Sequence, residues 1–146
     1  MKAIGIGILA LAASFSADAY NTPEDGIADP GYGCIAKLPG DWRLGLIADK
    51  VTLGYNGNAT TVEGLPRQAS VKERAVIALW LEMRQKCFNA GEFYRFSVLS
   101  PHEHLAEQNA FEFQQRVLVK LQQGQMTYIE FNRRRAELAE RLDSHI

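Results

Sequence analysis

The sequence predicts a mainly α-helical protein: a small helical domain with one disulfide, a C-terminal αα-hairpin and an irregular N-terminal segment. Three observations carry that prediction. First, serine or threonine stands three residues before a glutamate at Ser70–Glu73, Ser100–Glu103 and Thr127–Glu130, each time just ahead of an apolar-periodic run. In such a capping box the hydroxyl oxygen accepts a first-turn N–H and the glutamate reaches back to the cap's own N–H. One match means little, whereas three in step with helical spacing form a consistent signal. Second, the chain carries two cysteines, Cys34 and Cys87. Third, 47% hydrophobic content over 146 residues suits a single globular domain.

The N-terminus reads as an export signal. Lys2 precedes the apolar run Ala3 to Ala13, and small residues follow at Ala17 and Ala19, so cleavage is expected after Ala19. The apolar run falls short of the roughly 20 residues that a membrane span needs. We therefore expect a signal peptide over 1–19, a flexible leader over 20–33 and a single helical domain over 34–146. Within that domain, 34–91 forms the disulfide-closed part and 100–143 the αα-hairpin. The leader is expected to lack packed structure because Pro, Gly, Asp and Asn dominate it. An even cysteine count in an exported chain favours a bridge. Joining Cys34 to Cys87 closes a loop of about 54 residues, worth roughly 4 kcal/mol on the loop-entropy model. The same two residues make a poor metal site, since there is no C-x-x-C and no histidine at finger spacing.

The stretch from Asp41 to Tyr55 has no clean period and is compatible with a strand or a short helix, with Trp42, Leu44, Leu46 and Ile47 packing inward. Thr60 and Glu63 offer one helical turn that Gly64 and Pro66 end. A helix is expected from Val71 to about Phe88, with Val76, Leu79, Trp80, Met83 and Cys87 on its core side. Its apolar run marks it as the central helix. Phe93 to Leu99 reads as an aromatic connector. Pro101, at the first helical position, opens a second helix to about Gln123, with Ala106, Ala110, Phe113, Val117 and Leu121 as its stripe. After the short turn at Gly124, a third helix runs to about Leu142 and folds back on the second, setting Phe131 and Leu138 against Phe113 and Val117.

The hairpin, residues 119–142, resembles the short C-terminal helical-hairpin pattern called SHOCT. The matching positions are Leu121, Gly124, Met126, Thr127, Glu130, Phe131, Arg134, Arg135 and Leu138. That resemblance implies a role in oligomerisation or regulation rather than catalysis. The preceding region resembles small uncharacterised exported proteobacterial proteins, with an apolar helix, a tryptophan and a closing cysteine, and implies no activity.

Arg133, Arg134 and Arg135 are the candidate interaction residues. Arg133 and Arg134 fall on the polar side, where Glu130–Arg134, Arg133–Glu137 and Glu137–Arg141 have i,i+4 spacing. Arg135 points into the apolar stripe, so its head needs an exit to water, an anion, or an acid such as Glu107 or Glu112. His102 and His104 point about 200° apart on a helix and do not share a metal. Nothing selects an acid–base pair among Glu63, Glu73, Glu82 and Glu92, and no catalytic motif is present. A net charge of −1 gives no nucleic-acid footprint. The expectation is an exported protein of the bacterial envelope, periplasmic or secreted, without cofactor or metal. It has no membrane span once the signal is removed, and it binds a protein partner or itself. The alternatives are a hydrolase of envelope polymers using dispersed carboxylates and a binder of a small apolar ligand. A cleft with a shifted carboxylate would mark the first, a closed apolar cavity the second, and an exposed apolar patch the interaction module.

Overall fold

The structure, a computed structural model, describes residues 29–54 and 64–143. The expected signal peptide, most of the leader, the Thr60–Glu63 turn and His145 lie outside the described residues. The elements are α1 (Pro30–Ala36), two short 3-10 turns (Leu38–Gly40 and Trp42–Leu44), α2 (Val71–Ala90), α3 (Glu92–Val98), α4 (Pro101–Gln122) and α5 (Tyr128–Asp143), with no strand among the described residues. This is the mainly α fold expected. α2 is central: α1 and α4 pack against it, and α5 folds back on α4.

All three capping boxes form. Ser70 and Ser100 accept from the Glu73 and Glu103 amides, and each glutamate accepts from its serine's N–H. Thr127 and Glu130 reciprocate at 2.7 and 3.2 Å. The turn between α4 and α5 is a Schellman motif: the Gln125 N–H reaches Lys120 O and the Gly124 N–H reaches Leu121 O. Gly124 sits at φ 72°, a left-handed conformation that favours glycine. The next amides of α5 are satisfied from outside the helix, Tyr128 N donating to Arg67 O and Ile129 N to Leu65 O.

Cys34 and Cys87 are bridged, with their Cα atoms 5.3 Å apart, which staples α1 to the end of α2. The core contains Ile35, Leu44, Ile47, Ile77, Trp80, Leu118, Leu121, Tyr128 and Phe131. Through it runs a column in which guanidinium groups alternate with rings. The Arg95 guanidinium lies 3.7 Å from the Phe88 ring centre, and Phe88 stacks on Phe111 at 3.9 Å. Arg84 sits between Phe111 (5.6 Å) and Trp80 (5.7 Å), and Arg135 between Trp80 (5.7 Å) and Phe131 (5.6 Å).

Several expectations are corrected. The unstructured leader does not extend to Gly33. Asp29 caps α1 by accepting from the Gly31 N–H at 2.7 Å, Pro30 takes the first helical position, and both are helix-start chemistry. The Phe93–Leu99 connector is mostly helical. The buried face of α2 is Glu73, Ile77, Trp80, Arg84, Cys87 and Phe88, while Val76, Leu79 and Met83 are partly buried beside it. On α4 the buried face is Phe111, Gln114, Val117, Leu118 and Leu121, and Phe113 is 42% exposed. The Phe88–Phe111 stack and the Arg84–Gln114 bond account for that rotation, because each draws its α4 residue inward. Leu44 and Ile47 are core residues as expected, but Trp42 is 86% exposed and Leu46 is also exposed.

Glu73 is the junction of α2, α5 and the segment before α2. Its carboxylate accepts both Arg67 donors (2.7 and 2.8 Å), the Ser70 N–H and the Tyr128 hydroxyl (3.1 Å), with Lys50 Nζ at 3.8 Å. The Arg67 hydrogen bonds, joined by those from Ser70 and Tyr128, outweigh burial and hold its pKa down from 4.5 to about 2. Because the folded-state pKa is depressed, protons bind the unfolded chain first as pH falls. Glu73 therefore contributes fully above its ordinary value of 4.5, and that contribution is lost as pH falls through about 2. We expect Glu73→Gln to lower stability at neutral pH by about 1–2 kcal/mol, since it weakens the hydrogen bonds that a buried carboxylate receives while its partner Arg67 stays exposed to water. Between pH 4.5 and about 2 the variant's stability should fall less steeply than wild type, which a pH series of denaturant titrations reads directly.

Candidate functional site

The three consecutive arginines of α5 separate. Arg135 turns inward over Trp80 and Phe131. Its guanidinium donates to the carbonyl oxygens of Thr52 and Gly54, the latter at 3.1 Å, in the segment that follows the 3-10 turns. Glu107 and Glu112, the acids offered as one alternative for it, make other contacts. Glu107 accepts from the Tyr32 hydroxyl of α1, and Glu112 accepts from Gln108 and lies 3.9 Å from Arg116. Burial, reinforced by the charge of Arg84, lowers the Arg135 pKa to about 9. Carbonyl dipoles and ring faces thus receive the Arg135 head, where the sequence left water, an anion or an acid open. Asn132 reinforces the same junction, its amide donating to Lys50 O at 3.0 Å.

Arg133 and Arg134 are exposed and line an open groove of about 560 Å³ between α4 and α5. Arg141, Glu130 and Glu137 share its walls, and the exposed ring of Phe113 contributes from α4. The Thr127 backbone N–H holds the Glu130 carboxyl below its ordinary value, with Arg134 and Arg133 adding to the effect.

A second surface lies on α3. Phe93 is 83% exposed and Phe96 76%, and their i,i+3 spacing puts them on one face of the helix. Phe96 presents its ring edge-on to His104 at 6.3 Å, which ties this face to the first turns of α4, where Leu105 is also exposed. The opposite side of α3 is fixed by Arg95, which is buried, pairs with Asp29 at 2.9 Å and donates to Phe88 O. Sequence reasoning missed this ridge because it treated the segment as a connector. No local signal in the sequence marks it, since phenylalanine ordinarily turns inward and arginine outward, and Arg95 is buried here through its pairing with the distant Asp29.

Below the ridge, a cleft of about 140 Å³ is rimmed by Glu92, His104, Gln108 and Glu112. Among the described residues, no group of three or more His, Cys, Asp or Glu side chains is placed to hold a metal ion. Asp41, Asp49, Glu73, Glu82, Glu103 and Glu130 are all held below their ordinary pKa by hydrogen bonds. That direction suits an acceptor or an ion pair rather than a general acid. Comparison with models of protein families, with curated proteins and with solved structures finds no match for this chain.

The separation of the arginines has a measurable result. Arg133→Ala and Arg134→Ala should each change stability by less than about 0.5 kcal/mol. Arg135→Ala should cost about 2–4 kcal/mol, because it leaves two carbonyls without their donor. Phe131→Ala should cost about 3–5 kcal/mol. Equilibrium unfolding of the four variants checks the ranking.

Proposed function

We propose that this chain is an exported protein of the bacterial envelope, periplasmic or secreted, that acts without catalysis by binding a protein partner or itself. The observation that carries the reading is the α3 ridge: two phenylalanines on a well-anchored short helix, held out in water. Exposed aromatic clusters on an otherwise packed protein mark contact surfaces, since burying each ring in a partner removes a large apolar area from water. The Cys34–Cys87 bridge supports placement in an oxidising compartment. Among the described residues no helix is long and apolar enough to cross a membrane. The α4–α5 groove and the smaller cleft are both open and lined largely by polar and charged side chains, which favours neither an enclosed apolar ligand site nor a carboxylate-based active site. Acids interleave with the α5 bases, which does not favour a phosphate backbone as partner.

Export requires a mature chain beginning at Tyr20. The intact mass of material recovered from the periplasm should lack residues 1–19, and a mass that includes Met1 overturns the export reading. For the contact surface, the probe is a Phe93→Ser/Phe96→Ser double variant of the mature protein. Both rings are exposed, so its thermal transition should stay close to wild type. In a pull-down from envelope extract followed by mass spectrometry, it should lose proteins that the wild type retains. Identical sets from the two baits would remove α3 as the working surface.

A further inference from the structure

The charge around the α3 ridge is one-sided. Over residues 87–112 the chain carries four acids, Glu92, Glu103, Glu107 and Glu112, and one lysine or arginine, Arg95. Arg95 is buried, and its charge is met by Asp29 at 2.9 Å. The sign then reverses along α4: residues 113–122 hold two bases, Arg116 and Lys120, and no acid. Local structure accounts for part of the acid. Glu103 completes the cap of α4, and Glu107 accepts from the Tyr32 hydroxyl. Glu112 lies in mid-helix, and its pair with Arg116 is exposed and 3.9 Å long, a contact that contributes little.

Glu92 and Glu112 border the same cleft of about 140 Å³. Its wall includes the stacked rings of Phe88 and Phe111. His104 lines it as well and meets Phe96 edge-on, so ridge and cleft adjoin. The cleft is well below the roughly 300 Å³ at which small-molecule sites begin. It suits the end of one side chain. Lysine and arginine match it best, because their stems pack on rings while their heads stay at a polar rim.

We propose that the ridge and this cleft together dock a basic amphipathic segment of a partner protein. Its apolar face covers Phe93, Phe96 and Leu105. Its lysines or arginines meet Glu92 and Glu112, and one of them enters the cleft. The exposed rings add an attraction of their own, since a cation over a ring face is drawn to the ring's quadrupole. An uncharged apolar partner leaves the carboxylates unanswered, and an acidic one is repelled by them. The inference rests on the interaction reading and deepens it by naming the partner's chemistry.

The test is isothermal titration calorimetry of the mature protein with a synthetic helical peptide that carries leucine on one face and lysine on the other. The control ligand is the same peptide with glutamate in place of lysine. Wild type should bind the lysine peptide and not the glutamate peptide, and added salt should weaken the binding. Phe93→Ser/Phe96→Ser should weaken it about tenfold or more. Glu92→Gln/Glu112→Gln should weaken it about five- to tenfold, with a shallower salt dependence. Asp49→Asn/Glu140→Gln removes the same charge elsewhere on the surface and should bind as wild type does. All six positions are exposed, and circular dichroism establishes that each variant is folded. Equal binding of the two peptides overturns the proposal, and so does an Asp49→Asn/Glu140→Gln loss as large as that of Glu92→Gln/Glu112→Gln. A ridge that holds neutral phospholipid vesicles or a second copy of the chain, but not the lysine peptide, overturns it as well. If the lysine peptide fails to bind while capture from envelope extract through Phe93 and Phe96 persists, the partner class falls and the interaction reading stands.

Discussion

Arg84 is the charge around which this core is organised. It is 2% exposed, sandwiched between the rings of Trp80 and Phe111, and donates to the side-chain oxygens of Gln114 (2.8 Å) and Gln115 (3.1 Å). Burying a cation is costly unless its donors are used and its charge is met. A guanidinium suits the task because its charge is delocalised over a plane that stacks on rings and its donors fan outward to amide oxygens. The price of burial is reduced further by the extension of the arrangement in both directions. Trp80, Arg84 and Phe88 recur every four residues on α2, so one face of one helix presents ring, cation, ring in register. Arg95 and Arg135 complete the column from α3 and α5. Each arginine in it bonds across elements: Arg84 joins α2 to α4, Arg95 joins α3 to α1, and Arg135 joins α5 to the Thr52–Gly54 backbone.

Local signals in the sequence were readable and tertiary ones were not. Capping boxes, Pro101 at the first helical position and Gly124 in the reversal act within a turn of the chain, so their chemistry is complete in the sequence. The cysteine pairing was legible because two cysteines admit a single intramolecular bridge. The orientation of α4 was not, because apolar counting favours Phe113 over Gln114, whereas the core needs Gln114 to receive Arg84. Arg95 was passed over for the same reason, and with it the outward turn of Phe93 and Phe96. Asp29 and Pro30 were legible as a helix start but were absorbed into a Gly-rich leader. Trp42 ran against the ordinary tendency of tryptophan toward burial. For the candidate site, the polar side of Arg133 and Arg134 and the inward direction of Arg135 were readable. The groove they border and the carbonyls that receive Arg135 come from segments distant in sequence.

The two exposed surfaces differ in kind. The α3 ridge is apolar, short and braced from behind by a buried ion pair. The groove side of α5 is charged, with Glu130, Arg133, Arg134, Glu137 and Arg141 along it. The fold keeps them apart: the ridge sits beside the first turns of α4, and the charged groove side belongs to α5, which joins the other end of α4.

The anchoring of α5 also bears on the order in which the chain is able to fold. Its partners are far back along the chain: Asn132 bonds to Lys50, Arg135 to Thr52 and Gly54, and Tyr128 to Glu73. Asp29 likewise waits for Arg95, and Tyr32 for Glu107. A helical protein built mostly from neighbouring contacts folds fast and can settle piecemeal during synthesis. Here the backbone around Thr52 keeps vacant carbonyls until the last helix has been made. A chain emerging N-terminus first is thus able to join α1, α2 and α3 early, whereas the anchorage of the Thr52–Gly54 backbone waits for its final helix.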